Sequence, residues 1–382
     1  MKGVHIFFLA FFGLYSLLHL YGFFKFKRAL EPGPLLLAGL TLFMIMMVLA
    51  PLLVRMLEKN SWPILARILA HVGYFWMGLL FLFVSCALVL DVYRTVMLIS
   101  QNAIGSDLSR LMPSARLVFF APMILALTIA IFGFFQALNI RTEHITIQSA
   151  KIPPDIGRVR IVQISDVHLG LIVRHSRLAR ILTRVQAAQP DLLVSTGDLV
   201  DGQLNELAGL AEQLRQITAP LGKYAVTGNH EYYAGIGAAL KFTRAAGFTV
   251  LRGRALSVSS ALNIAGVDDP AGDRFDTGAK VSEKSLLGDL SQAAFTILLK
   301  HRPLPDDAAV GLFDLQLSGH THKGQIFPFT VLIDLMYPRS AGMLTLGGSQ
   351  LYVSRGSGTW GPPIRFLSPP EVTVIDLVSA KP

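Results

Sequence analysis

The chain contains 382 residues, enough for two or more domains, and 52% of them are hydrophobic while only 15% are charged. This composition excludes a wholly soluble protein. The net charge of +9 is spread along the chain, with ten basic and four acidic residues before residue 140, which excludes the concentrated basic face of a nucleic-acid-binding protein.

The first third of the chain carries four apolar stretches, each close to the roughly 20 residues that cross a bilayer as a helix. None of them contains Asp, Glu, Lys or Arg. The single cysteine, Cys86, lies inside the third stretch, which excludes an intrachain disulfide and a cysteine metal site. A signal peptide is not indicated, because the first stretch is too long and three more follow. We therefore predict an all-α transmembrane domain over residues 1–140, with helices at residues 4–24, 35–54, 69–90 and 117–138.

Basic residues beside these stretches predict the orientation of the helices, because cytoplasmic loops are enriched in Lys and Arg. The basic residues near the spans are equally numerous on the two sides of the membrane, so their number alone does not predict the orientation. The cluster of Lys25, Lys27 and Arg28 directly after the first stretch favours a cytoplasmic first loop. We therefore predict a multi-pass protein of the bacterial inner membrane, with its C-terminal domain on the extracytoplasmic side.

Residues 141–382 have a different pattern, in which strands and helices alternate as in an α/β domain. His144–Ile147 alternates in polarity like an edge strand, and five further strand-like runs are each followed by Asp, Asn or His. Because open α/β sheets keep their binding residues at the carboxyl ends of strands, we expect these side chains to meet. The runs and the residues after them are 160–164 with Asp166 and His168, 191–196 with Asp198, 223–227 with Asn229 and His230, 295–300 with His301, and 315–317 with His320 and His322.

Each of these residues also has an ordinary structural explanation. Asp198 could cap the following helix, Asn229 could serve a turn, and His301 could be a hydrogen-bonded core residue. Separate explanations at five strand ends account for the pattern less well than one shared site does. Imidazole, carboxylate and amide ligands together suit Mn, Fe or Zn, and the sequence does not choose among them.

The five blocks resemble, in type and in order, the motifs of the calcineurin-like metallophosphoesterase superfamily. They read Asp166-x-His168, Gly197-Asp198, Gly228-Asn229-His230-Glu231, His301 and Gly319-His320-x-His322. The segment from Tyr352 to Glu371 resembles the membrane-associated bacterial subgroup, whereas Lys323 stands where many members have glycine. The resemblance implies an α/β domain over residues 141–382 with a four-layer αββα sandwich, and a metal-dependent phosphoric ester hydrolase.

The resemblance also implies a dinuclear metal centre and a role for each residue. The ligands of one metal would be Asp166, His168 and His322, and those of the other would be Asn229, His301 and His320. Asp198 would bridge the two metals, and His230 would protonate the leaving oxygen as a general acid or stabilise the charge that develops there. Two divalent cations about 3.5–4 Å apart would neutralise the charge of a phosphate ester and activate a water molecule.

A membrane tether raises the effective concentration of lipid-linked substrates at the site. We therefore expect the lipid bilayer as a partner, no nucleic acid, and hydrolysis of a phosphate ester or pyrophosphate in a lipid-linked substrate such as a phospholipid. One alternative is a UDP-2,3-diacylglucosamine-type pyrophosphatase of lipid A synthesis, which requires a cytoplasmic site. Another is a non-catalytic binding or regulatory domain on a membrane module. Arg355 and Arg365 are secondary candidates for substrate phosphate contacts, with structural salt bridges as the alternative, and Asp201 is interpreted as a loop carboxylate.

Overall fold

The computed structural model describes residues 2–202, 207–275, 277–278 and 281–380. The chain divides into two compact units. One contains the residues up to Phe134 together with Gly361–Ile364, and the other contains Phe135–Trp360 together with the residues from Arg365 onward.

Four long apolar helices make up most of the first unit, and their length and composition fit membrane spans. They are α1 (Lys2–Leu30), α2 (Pro34–Lys59), α3 (Pro63–Ile104) and α4 (Ala115–Leu138). The prediction of four apolar N-terminal helices is confirmed, although α3 continues well past its predicted end at Leu90. Asp91, the charged residue at that point, forms an ion pair with Lys25 of α1, so the helix accommodates it without ending.

Small residues and further polar contacts hold these helices together. Gly73 of α3 packs so closely on α2 that an added Cβ would lie 2.7 Å from the Ala50 Cβ. The Trp76 indole donates a 2.9 Å hydrogen bond to His19 Nε2 on α1. Lys25 belongs to α1 rather than to a loop, whereas Lys27 and Arg28 are exposed at its end. The orientation of the helices across the membrane stays a prediction.

Two six-stranded sheets form the second unit. The strands are β1 (Arg141–Ser149), β2 (Arg158–Ile164), β3 (Leu192–Ser195), β4 (Lys223–Ala225), β5 (Thr249–Val250), β6 (Arg254–Ser259), β7 (Leu262–Gly266), β8 (Phe295–Leu299), β9 (Leu315–Ser318), β10 (Gly342–Leu346), β11 (Ser349–Val353) and β12 (Glu371–Ser379). The order is β1-β12-β2-β3-β4-β5 in the first sheet and β10-β11-β9-β8-β7-β6 in the second. β1 lies at a sheet edge, as the alternation at His144–Ile147 predicts.

The helices of this unit are mostly short. They are α5 (His175–Ala188), α6 (Ala208–Arg215), α7 (Asn229–Ala234), α8 (Ile236–Ala245), α9 (Ala271–Arg274), α10 (Glu283–Gly288) and α11 (Phe329–Met336).

Alternating side chains place the two sheets between outer layers. Along β2, Ile161 packs into the core between the sheets, while Val162 packs against the helical side, where Leu178 of α5 is buried. On the outer face of the second sheet, Leu298 of β8 contacts the cluster that includes Leu287 of α10. The layers are therefore helix, sheet, sheet and helix, which confirms the predicted four-layer α/β sandwich.

Strand direction determines where the site forms. β2, β3, β4 and β5 run parallel in the first sheet, and β7, β8, β9 and β11 run parallel in the second. The carboxyl ends of five of these strands, three from one sheet and two from the other, lead directly into the residues that the sequence singles out.

Candidate metal centre

The structure brings seven of the eight residues of the predicted site together. Their ligand atoms form three overlapping groups, and within each group all the atoms lie within 4.8 Å of one another. These groups are Asp166, His168 and His322; Asp198, His301 and His320; and His168, Asp198 and His230. Asn229 begins α7 directly beside His230 and is also buried.

The first group corresponds to the ligand set expected for one metal. His168 Nε2 lies 3.0 Å from His322 Nε2, and His322 Nε2 lies 3.5 Å from Asp166 Oδ1. All three side chains are buried. Two imidazole nitrogens and a carboxylate oxygen that converge in this way can all donate lone pairs to one divalent cation.

The second group contains most of the other expected set. His301 Nε2 lies 3.2 Å from Asp198 Oδ2 and 3.1 Å from His320 Nδ1. His301 Nδ1 donates a 2.8 Å hydrogen bond to the Thr196 carbonyl, which can only accept. This bond fixes the proton of the neutral imidazole on Nδ1 and leaves Nε2 available as a ligand, a common arrangement at metal-binding histidines.

Asp198 lies between the two groups. Its Oδ2 atom is 3.2 Å from His301 Nε2 and 3.9 Å from His168 Nε2, and its Oδ1 accepts a 2.8 Å hydrogen bond from the His230 backbone amide. One carboxylate therefore faces ligands of both groups, which is the position that a bridging ligand needs.

One unpaired buried atom tests whether the residues suit a metal. Asn229 Oδ1 is buried and has no hydrogen-bond partner within the described residues. A buried acceptor without a partner is unfavourable unless another group satisfies it. The Asn229 oxygen supplies the remaining donor of the second expected set, so the residues present fit a pair of divalent metals.

Five of the seven expected ligands have a left-handed backbone. Their φ angles are 50° at Asp166, 54° at His168, 50° at Asp198, 71° at His320 and 48° at His322. This conformation is unfavourable for residues other than glycine, by about 1–2 kcal/mol each. Such strain clusters at functional sites, where the surrounding fold maintains it.

Glycines next to the ligands provide the space for this convergence. Gly197 has a φ of +96°, and an added Cβ would lie 2.6 Å from His301 Nδ1. An added Cβ at Gly228 would collide with the Asp198 carboxylate, although the φ of Gly228, −100°, is open to any residue. Gly197 is therefore required by its conformation and its surroundings, and Gly228 by its surroundings alone.

Burial and the mixture of charges shift the pKa values in opposite directions. Burial lowers the pKa of His301, but the Asp198 and Asp166 carboxylates outweigh it and raise that pKa to about 10. Burial raises the pKa of Asp198, but His301 and His230 hold it well below its usual value. Burial lowers the pKa of His168 to about 4 and that of His320 to about 3. His168 and His320 are therefore neutral, as ligands must be, whereas a cation would compete with a proton at His301 and, below neutral pH, at Asp166, because burial raises the pKa of Asp166 to about 6.

His230 is held by a residue whose role the sequence analysis missed. Its Nδ1 lies 2.8 Å from Asp201 Oδ1. Burial lowers the pKa of His230, but Asp198 and Asp201 outweigh it and raise that pKa to about 9. Asp201 lies in a loop, as the sequence analysis interpreted it, but that interpretation missed its contact with His230. Its position three residues after Asp198, in the same loop, is the only sequence signal for this contact.

Glu231 is a second residue, after Asp201, that positions the site, and its motif alone did not predict this role. Its carboxylate accepts hydrogen bonds from the backbone amides of Gly228 at 2.6 Å, Leu199 at 2.8 Å and Asp198 at 3.0 Å. One buried side chain thus joins the loop that carries Asp198 to the loop that carries Asn229. The Gly228-x-x-Glu231 spacing, which resembles a capping box, is the available signal.

The two arginines predicted as candidate phosphate contacts, Arg355 and Arg365, form hydrogen bonds and ion pairs within the protein. Arg365 is fully buried, and its guanidinium donates to the carbonyls of His322, Gly358 and Arg355 at 3.2, 2.7 and 2.7 Å. Arg355 forms ion pairs with Glu143 and Glu371. These contacts fit the structural alternative for both residues, although Arg355 Nε has no hydrogen-bond partner among the described residues, and a role in substrate binding stays a prediction.

Comparison with known proteins gives a consistent result. The model of the family described as calcineurin-like phosphoesterase matches residues 159–324. A metallophosphoesterase of Aquifex aeolicus is 40% identical over 67% of this chain and 98% of its own length. A metallophosphoesterase of Campylobacter jejuni is 33% identical over 70% of this chain and 71% of its own length. A transmembrane protein with a metallophosphoesterase domain from Danio rerio is 34% identical, covering 68% of this chain and 62% of that protein.

Proposed function

The chain belongs to the calcineurin-like phosphoesterase family, and from this premise we propose that it is a membrane-anchored phosphoesterase with a dinuclear metal centre. The proposed reaction is hydrolysis of a phosphate ester or pyrophosphate, in a lipid-linked substrate at the membrane surface. The observation that carries the proposal is the pair of buried ligand groups on either side of Asp198.

The proposed assignment of ligands is the one that the family resemblance implies, and the geometry of the two groups supports it. Asp166, His168 and His322 would hold one metal, Asn229, His301 and His320 would hold the other, and Asp198 would contact both. Bound Mn, Fe or Zn would neutralise phosphoryl charge and make a water molecule acidic enough to attack at neutral pH. The chain's own contribution is to fix these side chains before substrate arrives, through the Thr196 carbonyl, Glu231 and Arg365.

His230 is the proposed proton donor to the leaving oxygen. Because Nδ1 faces Asp201, its other nitrogen, Nε2, is directed away from that carboxylate and is available to the site. The raised pKa means that the ring carries a proton at neutral pH. A positioned acid of this kind contributes about 10²–10⁴-fold to a proton-transfer step.

The substitution His230→Ala is expected to preserve the metal content and to slow hydrolysis more for esters with basic leaving groups than for aryl esters. The wild-type rate should fall as the pH rises through the pKa of His230, at or below pH 9, because only the protonated ring can donate. The variant should lack that decrease. Metal analysis with pH–rate profiles on both ester types tests this, and loss of metal from the variant would make His230 a ligand instead.

The apolar helices support a lipid-linked substrate, because an anchored site meets lipid phosphates at high effective concentration. Phospholipids and lipid-linked pyrophosphates, including nucleotide-linked precursors of lipid A, form the proposed class. The exposed Lys27 and Arg28 in the last turn of α1 support an extracytoplasmic site in a bacterial inner membrane, which fits phospholipids better than the cytoplasmic precursors of lipid A.

The proposal is tested with the full chain in lipid nanodiscs, loaded in turn with Mn, Fe or Zn. Hydrolysis of a lipid phosphomonoester, phosphodiester or pyrophosphate should exceed hydrolysis of the matching water-soluble ester. Equal rates would remove the lipid specificity from the proposal. Absence of hydrolysis with every substrate and metal would favour a non-catalytic binding domain.

A further inference from the structure

Helix α11 is an apolar helix without a buried face. Its sequence is Phe-Thr-Val-Leu-Ile-Asp-Leu-Met, and none of its residues is buried. Leu335 is 79% exposed and Met336 is 67% exposed. By contrast, α5 in the same unit buries Leu178, Ile181 and Val185. A contiguous apolar surface of this kind on a folded domain usually marks an interaction site.

We call these residues the α11 surface. It consists of the exposed apolar side chains of α11 and of the phenylalanine two residues before it, namely Phe327, Phe329, Val331, Leu332, Leu335 and Met336.

The α11 surface is attached directly to the candidate metal centre. Thr330 donates a 3.0 Å hydrogen bond from Oγ1 to the Lys323 carbonyl, in the loop that follows His322. The ring of Tyr337, which follows α11, lies 5.8 Å from the ring of His320. The apolar surface therefore borders the site.

Charge and aromatic residues around the helix indicate what this surface contacts. Lys323 precedes α11 and Arg339 follows it, and the single acid of the helix, Asp334, hydrogen-bonds with Ser340. Basic residues beside an apolar surface suit anionic lipid headgroups. The exposed Trp360, whose ring lies 5.6 Å from that of His230, is of the type enriched where membranes meet water.

The short connection to the apolar helices indicates what the α11 surface contacts. Only Asn139 and Ile140 separate β1 from α4, a helix whose length and composition fit a span of a lipid bilayer. We propose that the α11 surface inserts into the boundary between the headgroups and acyl chains of that bilayer. The metal centre would then open at the level of lipid phosphates. The access of lipid phosphates to the metal centre rests on the proposed function, whereas the insertion of the α11 surface into the bilayer does not.

The insertion is tested by spin-label accessibility in the full chain, reconstituted in vesicles of phosphatidylcholine and phosphatidylglycerol. In a Cys86→Ser background, a label at Leu335→Cys should collide more with oxygen, which concentrates in lipid, than with a water-soluble nickel chelate. The matched control is Ile156→Cys, which replaces an exposed apolar residue just before β2, at the opposite end of that strand from the site. Its label should show the reverse preference.

Two results would overturn the docking proposal. One is a label at position 335 with the same preference for the aqueous reagent as the control. The other is a label shielded from both reagents, which would mean that protein, such as a second copy of the chain, covers the surface. Insertion without hydrolysis of any phosphate ester would contradict the proposed function alone.

A kinetic measurement gives an independent result for the same surface. The double substitution Leu332→Ser and Leu335→Ser removes apolar side chains that are 53% and 79% exposed, so the folded domain loses little packing. The ratio of the hydrolysis rate for a vesicle-embedded ester to that for its soluble counterpart should fall about tenfold, because interfacial binding scales with inserted apolar area. An unaltered ratio would contradict insertion of α11 as the means of substrate access.

Discussion

Asp198→Asn is expected to remove metal from both halves of the centre and to lower the rate of phosphoester hydrolysis by about 10³-fold or more, because the charge stabilisation supplied by metals is worth several kcal/mol. The substitution keeps the size of the side chain and its acceptor for the His230 backbone amide. It removes the negative charge that faces His301 at 3.2 Å and His168 at 3.9 Å. Metal content by mass spectrometry and the rate on an aryl phosphate measure the two effects.

Asp268→Asn provides the matched control. Both carboxylates have side chains that are only 3% exposed, but Asp268 pairs with Arg252 and belongs to none of the ligand groups. The control variant should keep both metals and most of its activity. If the two variants lost metal equally, or if Asp198→Asn kept one full site, Asp198 would not be the shared ligand.

Arg365→Lys is expected to destabilise the domain by about 3 kcal/mol and to weaken metal binding by roughly 10- to 100-fold. Lysine keeps the positive charge but cannot reproduce the planar fork that reaches the carbonyls of His322, Arg355 and Gly358. The guanidinium also lies 2.9 Å from His322 Nδ1 and, after burial itself, is the main cause that holds the pKa of His322 well below its usual value. Its loss should leave His322 poorly positioned as a ligand.

A core substitution separates this effect from general destabilisation. Leu178→Ala, in the fully buried apolar face of α5, should cost about 3 kcal/mol as well. Chemical denaturation and metal titration of both variants then give the comparison. Wild-type metal affinity in Leu178→Ala with weakened affinity in Arg365→Lys supports a positioning role. Equal affinities in the two variants would assign Arg365 to stability alone.

Local sequence signals were sufficient to predict the apolar helices and the residues that converge at the candidate metal centre. Asp166 and His168 follow the end of an apolar run by two and four residues. At the other strand ends, too, Asp, Asn or His follows the run closely, so a short stretch of sequence is enough to identify each candidate residue. The four apolar stretches are equally local, because a bilayer selects on composition over about 20 residues. The resemblance to the phosphoesterase family is confirmed and joins these local signals into one site.

Contacts between distant segments could not be predicted in this way. Arg365 contacts His322 across 43 positions of sequence, and its apolar neighbours give no indication that its charge is buried. The third apolar stretch was predicted to end just before the charged residue Asp91. In the structure Asp91 pairs with Lys25, 66 positions away, and the helix continues. A single sequence specifies which residues are charged, whereas the fold determines which charges become paired.

Anomalous X-ray diffraction from metal-loaded crystals of the full chain, collected at the absorption edge of the bound metal, tests the central claim most directly. We expect two peaks about 3.5–4 Å apart, one on each side of the Asp198 carboxylate. Asp166, His168 and His322 should surround one peak, and Asn229, His301 and His320 the other. A single peak, or peaks outside these seven side chains, would contradict the dinuclear centre.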